Sequence, residues 1–297
     1  MTIKTLCICG GGPNILLTYG ALKSLADKTF FNIKDIKNVY AISAGALCIT
    51  ILLLINNWSI SDKYIEDCPW DEYINISLDK LLLLYNKTGI LGEKEYIRIL
   101  SPLLKMNNLD ENISLKDFCD AMNINFYLSG TNLTDFKLEL FSNLTHPDIE
   151  FKKVLQITSS LPIIVEPVYY NDKIYIDGGA FTSCLLNYCL DNKDINENEI
   201  LCIRNKYNQD KVISTQNINS FIDYVLYLFV TISNNIKVKH AASCKNIVYL
   251  PYYDFNSYTE DNKIIFNILS DKKSRKAIIQ KGEEAAELFM LYNKTVI

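Results

Sequence analysis

The chain has 297 residues, 49% of them hydrophobic, which is ample for a buried core, and a formal net charge of −4 with lysine and arginine spread along its length. Scattered cations without a basic cluster exclude the electrostatic footprint of a nucleic-acid partner. The longest apolar run, Ala46 to Ile55, has about half the ~20 residues of a membrane span, and the stretch before the first glycines is too short for a signal peptide, so a cytoplasmic protein, at most peripheral at membranes, is expected.

Taken in chain order, Ile3 to Cys9 reads as a short strand ending in Gly10-Gly11-Gly12-Pro13, after which Leu17, Leu22, Leu25 and Ala26 recur at helical spacing. Pro13 suits a first helical turn, where its missing N–H has no partner to lose. A second strand over Ile36 to Ile42 runs into Ser43-Ala44-Gly45 and an apolar helix from Ala46. Two successive strand-turn-helix units predict a largely parallel sheet with helices on its faces. Between 58 and 122 the pattern turns helical, with runs at Asp71 to Tyr85, Glu93 to Met106 and Ser114 to Met122, the last opened by a Ser114 and Asp117 capping pair. This segment predicts a helical cap inserted over the sheet edge.

Strands are predicted again at Asn125 to Ser129 and Lys137 to Phe141, followed by a helix at Phe151 to Ser159. A strand at Lys173 to Ile176 ends in Asp177-Gly178-Gly179, and a helix over 182–191 and a strand over Ile200 to Arg204 continue the alternation. Beyond them the pattern gives an apolar helix at Ser220 to Ile232, strands near Ile247 to Leu250 and Lys263 to Ile268, and an amphipathic helix from Asp271 to Tyr292. No repeat, linker or break in composition divides the chain, so residues 1–297 are expected to form one domain. The nine cysteines are odd in number and lack paired zinc spacings, which predicts reduced core thiols and no bound metal.

Three glycine-bearing turns fall at the carboxyl ends of predicted strands, where open α/β sheets bind and transform ligands. Each also has a plain structural reading. Ser43 suits the N-cap of the following helix, and Asp177 before two glycines suits a turn. The run Gly10 to Gly12 before a helix offers backbone N–H groups to an anion, either a phosphate or an oxyanion. A dinucleotide fingerprint requires a glycine where Ile15 stands. A serine in a sharp strand-to-helix turn has its hydroxyl pushed out of the sheet, and Ala41, Ala44, Gly45 and Ala46 supply the small neighbours such a turn needs.

Together, Cys7-Ile8-Cys9-Gly10-Gly11-Gly12-Pro13-Asn14 with Gly20-Ala21-Leu22-Lys23-Ser24-Leu25, then Ile42-Ser43-Ala44-Gly45-Ala46, then Thr158-Ser159-Ser160-Leu161-Pro162 and Tyr175-Ile176-Asp177-Gly178-Gly179, closely resemble the patatin-like phospholipases. The likeness covers about Lys4 to Leu190. It implies a three-layer α/β/α sandwich around a mainly parallel sheet, with core motifs in 4–190, the cap at about 58–122 and further strands and helices in 191–297. It also implies an enzyme that hydrolyses acyl esters of phospholipids or other lipids through a Ser-Asp dyad and an acyl-enzyme, with no cofactor. Ser43 is then the nucleophile, Asp177 the general base, and Gly10, Gly11, Gly12 and Ala44 the oxyanion-hole residues, with Gly45, Gly178 and Gly179 supporting the turns. A desolvated carboxylate at the mouth of an apolar cleft is suited to accept the serine proton without histidine.

Three positions depart from the family pattern: Asn14 stands where a basic residue is usual, Ile15 where a glycine is usual, and Ala41 at the first glycine of the Gly-x-Ser-x-Gly elbow. Ala41 adds one methyl group and is expected to leave the elbow intact. The changes in the glycine loop leave open a weak or inactive lipid-binding relative. An α/β-hydrolase triad of Ser43, Asp177 and His240 is the competing enzymatic reading, although it leaves the glycine loop unexplained. The cap leucines Leu81 to Leu84, Leu103 and Leu104 are expected to wall an acyl chain.

Overall fold

The computed structural model describes residues 2–73, 88–206, 242–251 and 270–294, with 224, 225, 227, 228 and 231. Its strands are β1 (Thr5–Ile8), β2 (Asn38–Ala41), β3 (Gly89–Leu91), β4 (Asn125–Asn132), β5 (Lys137–Ser142), β6 (Ile163–Val165), β7 (Val168–Tyr170), β8 (Lys173–Asp177), β9 (Ile200–Lys206) and β10 (Ile247–Pro251). The helices are α1 (Ile15–Asp27), α2 (Ala44–Ile55), α3 (Trp58–Asp67), α4 (Trp70–Tyr73), α5 (Glu93–Met106), α6 (Leu115–Met122), α7 (Phe151–Thr158), α8 (Leu186–Asp191) and α9 (Lys272–Lys294).

The sheet runs in the order β10-β9-β1-β2-β4-β8-β7, with β5 also paired to β4. From β10 to β4 every pairing is parallel, whereas β5 and β8 join β4 antiparallel and β7 joins β8 antiparallel. Strand alternation separates two cores. Leu6, Ile8, Val39, Ala41, Leu201 and Ile203 enter the larger one under α1, α2, α7 and α9. Their neighbours Cys7, Tyr40, Ile200 and Cys202 face the opposite side, against Leu185, Leu186 and Cys189 around α8. This is the expected α/β architecture of a mostly parallel sheet flanked by helices.

One edge of β4 is shared. Its residues Asn125 to Leu128 pair with β2, and Gly130 to Asn132 pair with β8, while β5 lines the other edge through Tyr127 to Asn132. The end of β8 is therefore brought beside the end of β2, and this placement sets Asp177 against Ser43.

The predicted elements differ from the observed ones where three-residue strands carry no readable alternation, as in β3, β6 and β7. The helix predicted from 182 begins only at Leu186, because the Thr182 hydroxyl accepts the Cys184 N–H at 3.3 Å and donates to the Cys184 carbonyl at 2.8 Å, closing a local turn. Within the cap segment the Ser114 hydroxyl does accept the Asp117 N–H, at 3.0 Å. Leu103 and Leu104, expected to wall an acyl chain, are both buried in the larger core. Leu81 to Leu84, the strand expected at Lys263 to Ile268, most of Ser220 to Ile232 and His240 lie outside the described residues.

The helix α9 crosses α1 at a pair of glycines. A Cβ on Gly20 would stand 2.0 Å from the Ile279 carbonyl oxygen, and one on Gly282 would stand 2.1 Å from that of Leu17. The two backbones touch because neither position has a side chain. Gly282→Val should thus force the helices apart and lower stability by at least about 1–3 kcal/mol, measured as a fall in the urea midpoint.

Candidate active site

Ser43 ends the connection from β2 to α2 with φ of 53° and ψ of −134°, a positive φ that a residue with a side chain adopts only under constraint. The constraint is visible. The Ile42 N–H donates to Ile8, the Gly45 N–H returns to Ile42 at 3.0 Å, and the Ser43 N–H donates to Thr158 Oγ1 at 3.0 Å. Any side chain at 45 would collide with β1's continuation, since a Cβ there would lie 2.5 Å from the Cys9 carbonyl oxygen. Ala41 is fully buried in β2 and the elbow forms with it.

The N-cap reading of Ser43 fails, because its side chain makes no capping bond to α2. Instead Ser43 Oγ donates to Asp177 Oδ2 at 2.6 Å. Ser43 is half-buried, while Asp177 is only 4% exposed. Its second oxygen, Oδ1, accepts the Gly179 N–H at 2.6 Å, so the turn-forming reading of Asp177 holds alongside its bond to Ser43. The main chain is fixed as well: the Asp177 N–H donates to Ser160, and Thr131 Oγ1 donates to the Asp177 carbonyl at 2.8 Å. Gly178 is buried against Ser129, whose Oγ would stand 2.2 Å from a Cβ at 178.

The glycine loop lies alongside, with a Cβ on Gly10 only 3.1 Å from Ser43 Cβ. Asn205 at the end of β9 donates from Nδ2 to the Gly10 carbonyl at 2.7 Å and so holds the loop to the sheet. Gly12 has φ of 52° and opens a 3₁₀ turn, Gly12–Asn14, that leads into α1. The N–H groups of Gly11, Gly12 and Ala44 have no acceptor among the described residues, and the amino ends of α1 and α2 both point to this place. Asn14 is buried, and neither its amide oxygen nor its nitrogen has a partner among the described residues. Ile15 starts α1 and packs against the larger core.

The cap reaches the site through Tyr96 on α5. Ser159 donates to the Leu155 carbonyl, so the Tyr96 hydroxyl donates to Ser159 Oγ, at 2.6 Å. Burial holds the Tyr96 phenol well above its ordinary pKa, the Ser159 bond draws it partly back, and the Asp177 charge raises it again, so it stays neutral. His146 lies apart, against Glu139 at 3.2 Å and Thr145 at 2.9 Å.

Ser43 and Asp177 are brought into contact with the Gly10 turn beside them, whereas Thr158, Thr131, Asn205 and Tyr96 were not anticipated in these roles. Thr158 was visible within the Thr158-Ser159-Ser160 run, but its bond to Ser43 spans distant sequence. The other three carry no local signal.

The family model of the patatin-like phospholipases matches residues 6–190, and the chain belongs to that family. Among individual proteins, it is 26% identical over 292 residues to "Probable lipid hydrolase 463L" of Invertebrate iridescent virus 6, covering 98% of this chain and 90% of that one. It is also 27% identical over 253 residues to "Uncharacterized protein R571" of Acanthamoeba polyphaga mimivirus, covering 81% of this chain and 80% of that one. The fold is similar to that of VipD from Legionella pneumophila, with a TM-score of 0.52 and 15% identity over 97% of this chain; the match spans 66% of the VipD chain.

Thr158→Val keeps the shape of a fully buried side chain and removes the acceptor of the Ser43 N–H. It should lower stability by about 1–3 kcal/mol in urea denaturation and reduce ester hydrolysis, since the elbow loses one of its restraints.

Proposed function

We propose that this protein is a lipid acyl hydrolase that works through a Ser43-Asp177 dyad and a covalent acyl-enzyme. The observation that carries this reading is the direct 2.6 Å bond from Ser43 Oγ to the buried Asp177 carboxylate. Membership of the family and the printed name of the iridescent virus relative support a lipid ester as the substrate class.

In the first half-reaction Ser43 Oγ attacks the ester carbonyl carbon while its proton passes to Asp177 Oδ2. The carbonyl oxygen gains the negative charge and is received by the N–H groups of Gly11, Gly12 and Ala44, with the loop anchored through Gly10. Collapse breaks the ester bond, and the leaving alcohol takes the proton from Asp177. Water then attacks the acyl carbon, gives a proton to Asp177, and the fatty acid departs as Ser43 recovers its hydrogen. Because the Gly179 N–H and the bonds to Ser160 and Thr131 hold Asp177 in place, the same oxygen serves both halves. No imidazole fits between two groups already in hydrogen-bond contact, which favours the dyad over a triad.

Among the described residues no helix is long and apolar enough to cross a membrane. The exposed Phe136, at the turn from β4 to β5, stacks edge-on against Phe181 at 5.2 Å, four residues beyond Asp177. That apolar rim suits peripheral contact with a lipid surface beside the site.

Ser43→Ala and Asp177→Asn should each reduce turnover of a phospholipid or p-nitrophenyl ester by at least about 10³-fold with little change in melting temperature. A fluorophosphonate should add covalently to the Ser43 peptide, detected by intact mass and peptide mapping. Full activity in Ser43→Ala would leave only a lipid-binding role, whereas His146→Ala and His240→Ala should both retain wild-type turnover.

A further inference from the structure

On the face of the sheet opposite the larger core, three thiols converge from three places in the chain. Cys7 and Cys202 are register partners on β1 and β9. Cys184 descends from the segment after Asp177, held by its turn with Thr182. Cys184 Sγ lies 3.6 Å from Cys7 Sγ and 3.8 Å from Cys202 Sγ, and all three sulfurs fall within 4.8 Å of one another. Sulfurs set ~2.3 Å from a zinc ion in tetrahedral coordination lie about 3.8 Å apart, close to the 3.6 and 3.8 Å that separate Cys184 from its two neighbours. A disulfide instead requires about 2.05 Å.

We propose that Cys7, Cys184 and Cys202 form a thiolate site for one zinc ion, which ties the segment following Asp177 to β1 and β9 and leaves the fourth coordination position to a non-protein ligand. Cys7 and Cys202 are buried and Cys184 is half-buried, with Tyr40, Ile42, Leu185, Leu186 and Ile200 packed in the same cluster. Three thiolates on a divalent ion leave one negative charge in excess. The guanidinium of Arg204, two residues after Cys202, lies within electrostatic range of Cys184 and Cys202 and offsets part of it. Metal binding releases the thiol protons to solvent, one for each sulfur that carried one.

The consequence is mechanical. Cys7 stands on β1, which leads into the Gly10 to Gly12 loop, and Cys184 follows the Asp177-Gly178-Gly179 turn, so one ion would clamp both flanks of the Ser43 site without touching a reacting atom. Spacing along the chain conceals this, because the three cysteines become neighbours only when β1 and β9 pair.

The test uses the full-length chain purified under reducing conditions, with zinc counted by mass spectrometry of the metal after dialysis. About one zinc per chain is expected, and replacement by cobalt(II) should give the visible and near-ultraviolet bands of tetrahedral cobalt thiolate. Cys184→Ser and Cys202→Ser should weaken binding by at least about tenfold, while Cys48→Ser and Cys119→Ser, which lie in the other core, should bind as wild type does. A chelator should lower the melting temperature of the wild type and leave that of Cys184→Ser unchanged. Ser43→Ala should give the same cobalt spectrum as wild type, which separates this site from the hydrolase reading. A wild-type chain that takes up neither zinc nor cobalt, or a disulfide among Cys7, Cys184 and Cys202 found by non-reducing peptide mapping, overturns the proposal.

Discussion

The contact between Ser43 and Asp177 exists because β2 and β8 divide one edge of β4 between them. A parallel strand occupies the first half of that edge and stops at Ala41, and an antiparallel strand fills the remainder and ends at Asp177. The two strand ends point toward one another, so a serine just past one and an aspartate at the other meet without any loop having to reach across. A conventional sheet would have required one edge of β4 for each neighbour, and β5 already takes the second. Edge sharing is therefore the constraint on which the site's geometry rests, and the strained backbone at Ser43 is its local cost, of order 1–3 kcal/mol. Bonds from Ile42, Ser43 and Gly45 to fixed partners hold that strain in place.

The electrostatics follow from the same geometry. Among the described residues, Asp177 Oδ2 faces a hydroxyl and Oδ1 a backbone N–H, both within 2.6 Å. Positive potential comes from oriented peptide groups, with the amino ends of α1 and α2 converging on the serine. In the proposed reaction, such fixed dipoles would need little reorganisation as negative charge passes from the Asp177 carboxylate to the ester oxygen, the condition under which electrostatic stabilisation is most effective. Tyr96 and Ser159 extend the polar network toward the cap, and their neutrality avoids placing a second charge beside the carboxylate.

Ser43, Asp177 and the glycine loop were legible in the sequence because each sits in a turn whose small residues and flanking apolar runs mark it locally. The long helices were legible for a similar reason, since α2, α5 and α9 repeat an apolar pattern over several turns. What supports the site was hidden. Thr158 lies 115 residues from Ser43, and Asn205 lies 195 from Gly10, so their roles depend on strand order rather than on any local pattern. Three-residue strands such as β6 carry too few positions to show alternation, and Thr182 ended an expected helix extension through a side-chain bond that competes with the backbone. Ile15, a departure from the family's glycine, is explained by place: it starts α1 and meets the larger core, where an apolar side chain adds buried area.

The helix α9 lies outside residues 6–190 yet bears on the loop that faces the nucleophile. Gly282 rests on the Leu17 carbonyl, and Leu17 stands in the first turn of α1, directly after the 3₁₀ turn that carries Gly12. Phe289 adds an edge-on contact with Phe30 at 5.4 Å, just beyond the other end of α1. A rigid helix transmits position along its axis, so α9 fixes where the amino end of α1 stands relative to Ser43. The N–H groups of Gly11 and Gly12 have no acceptor among the described residues to hold their direction, and the anchor at Gly10 restrains only one side of the loop. Their aim consequently depends on α1, and through α1 on the crossing at Gly20 and Gly282, which makes the carboxyl-terminal helix a positioning element for the glycine loop.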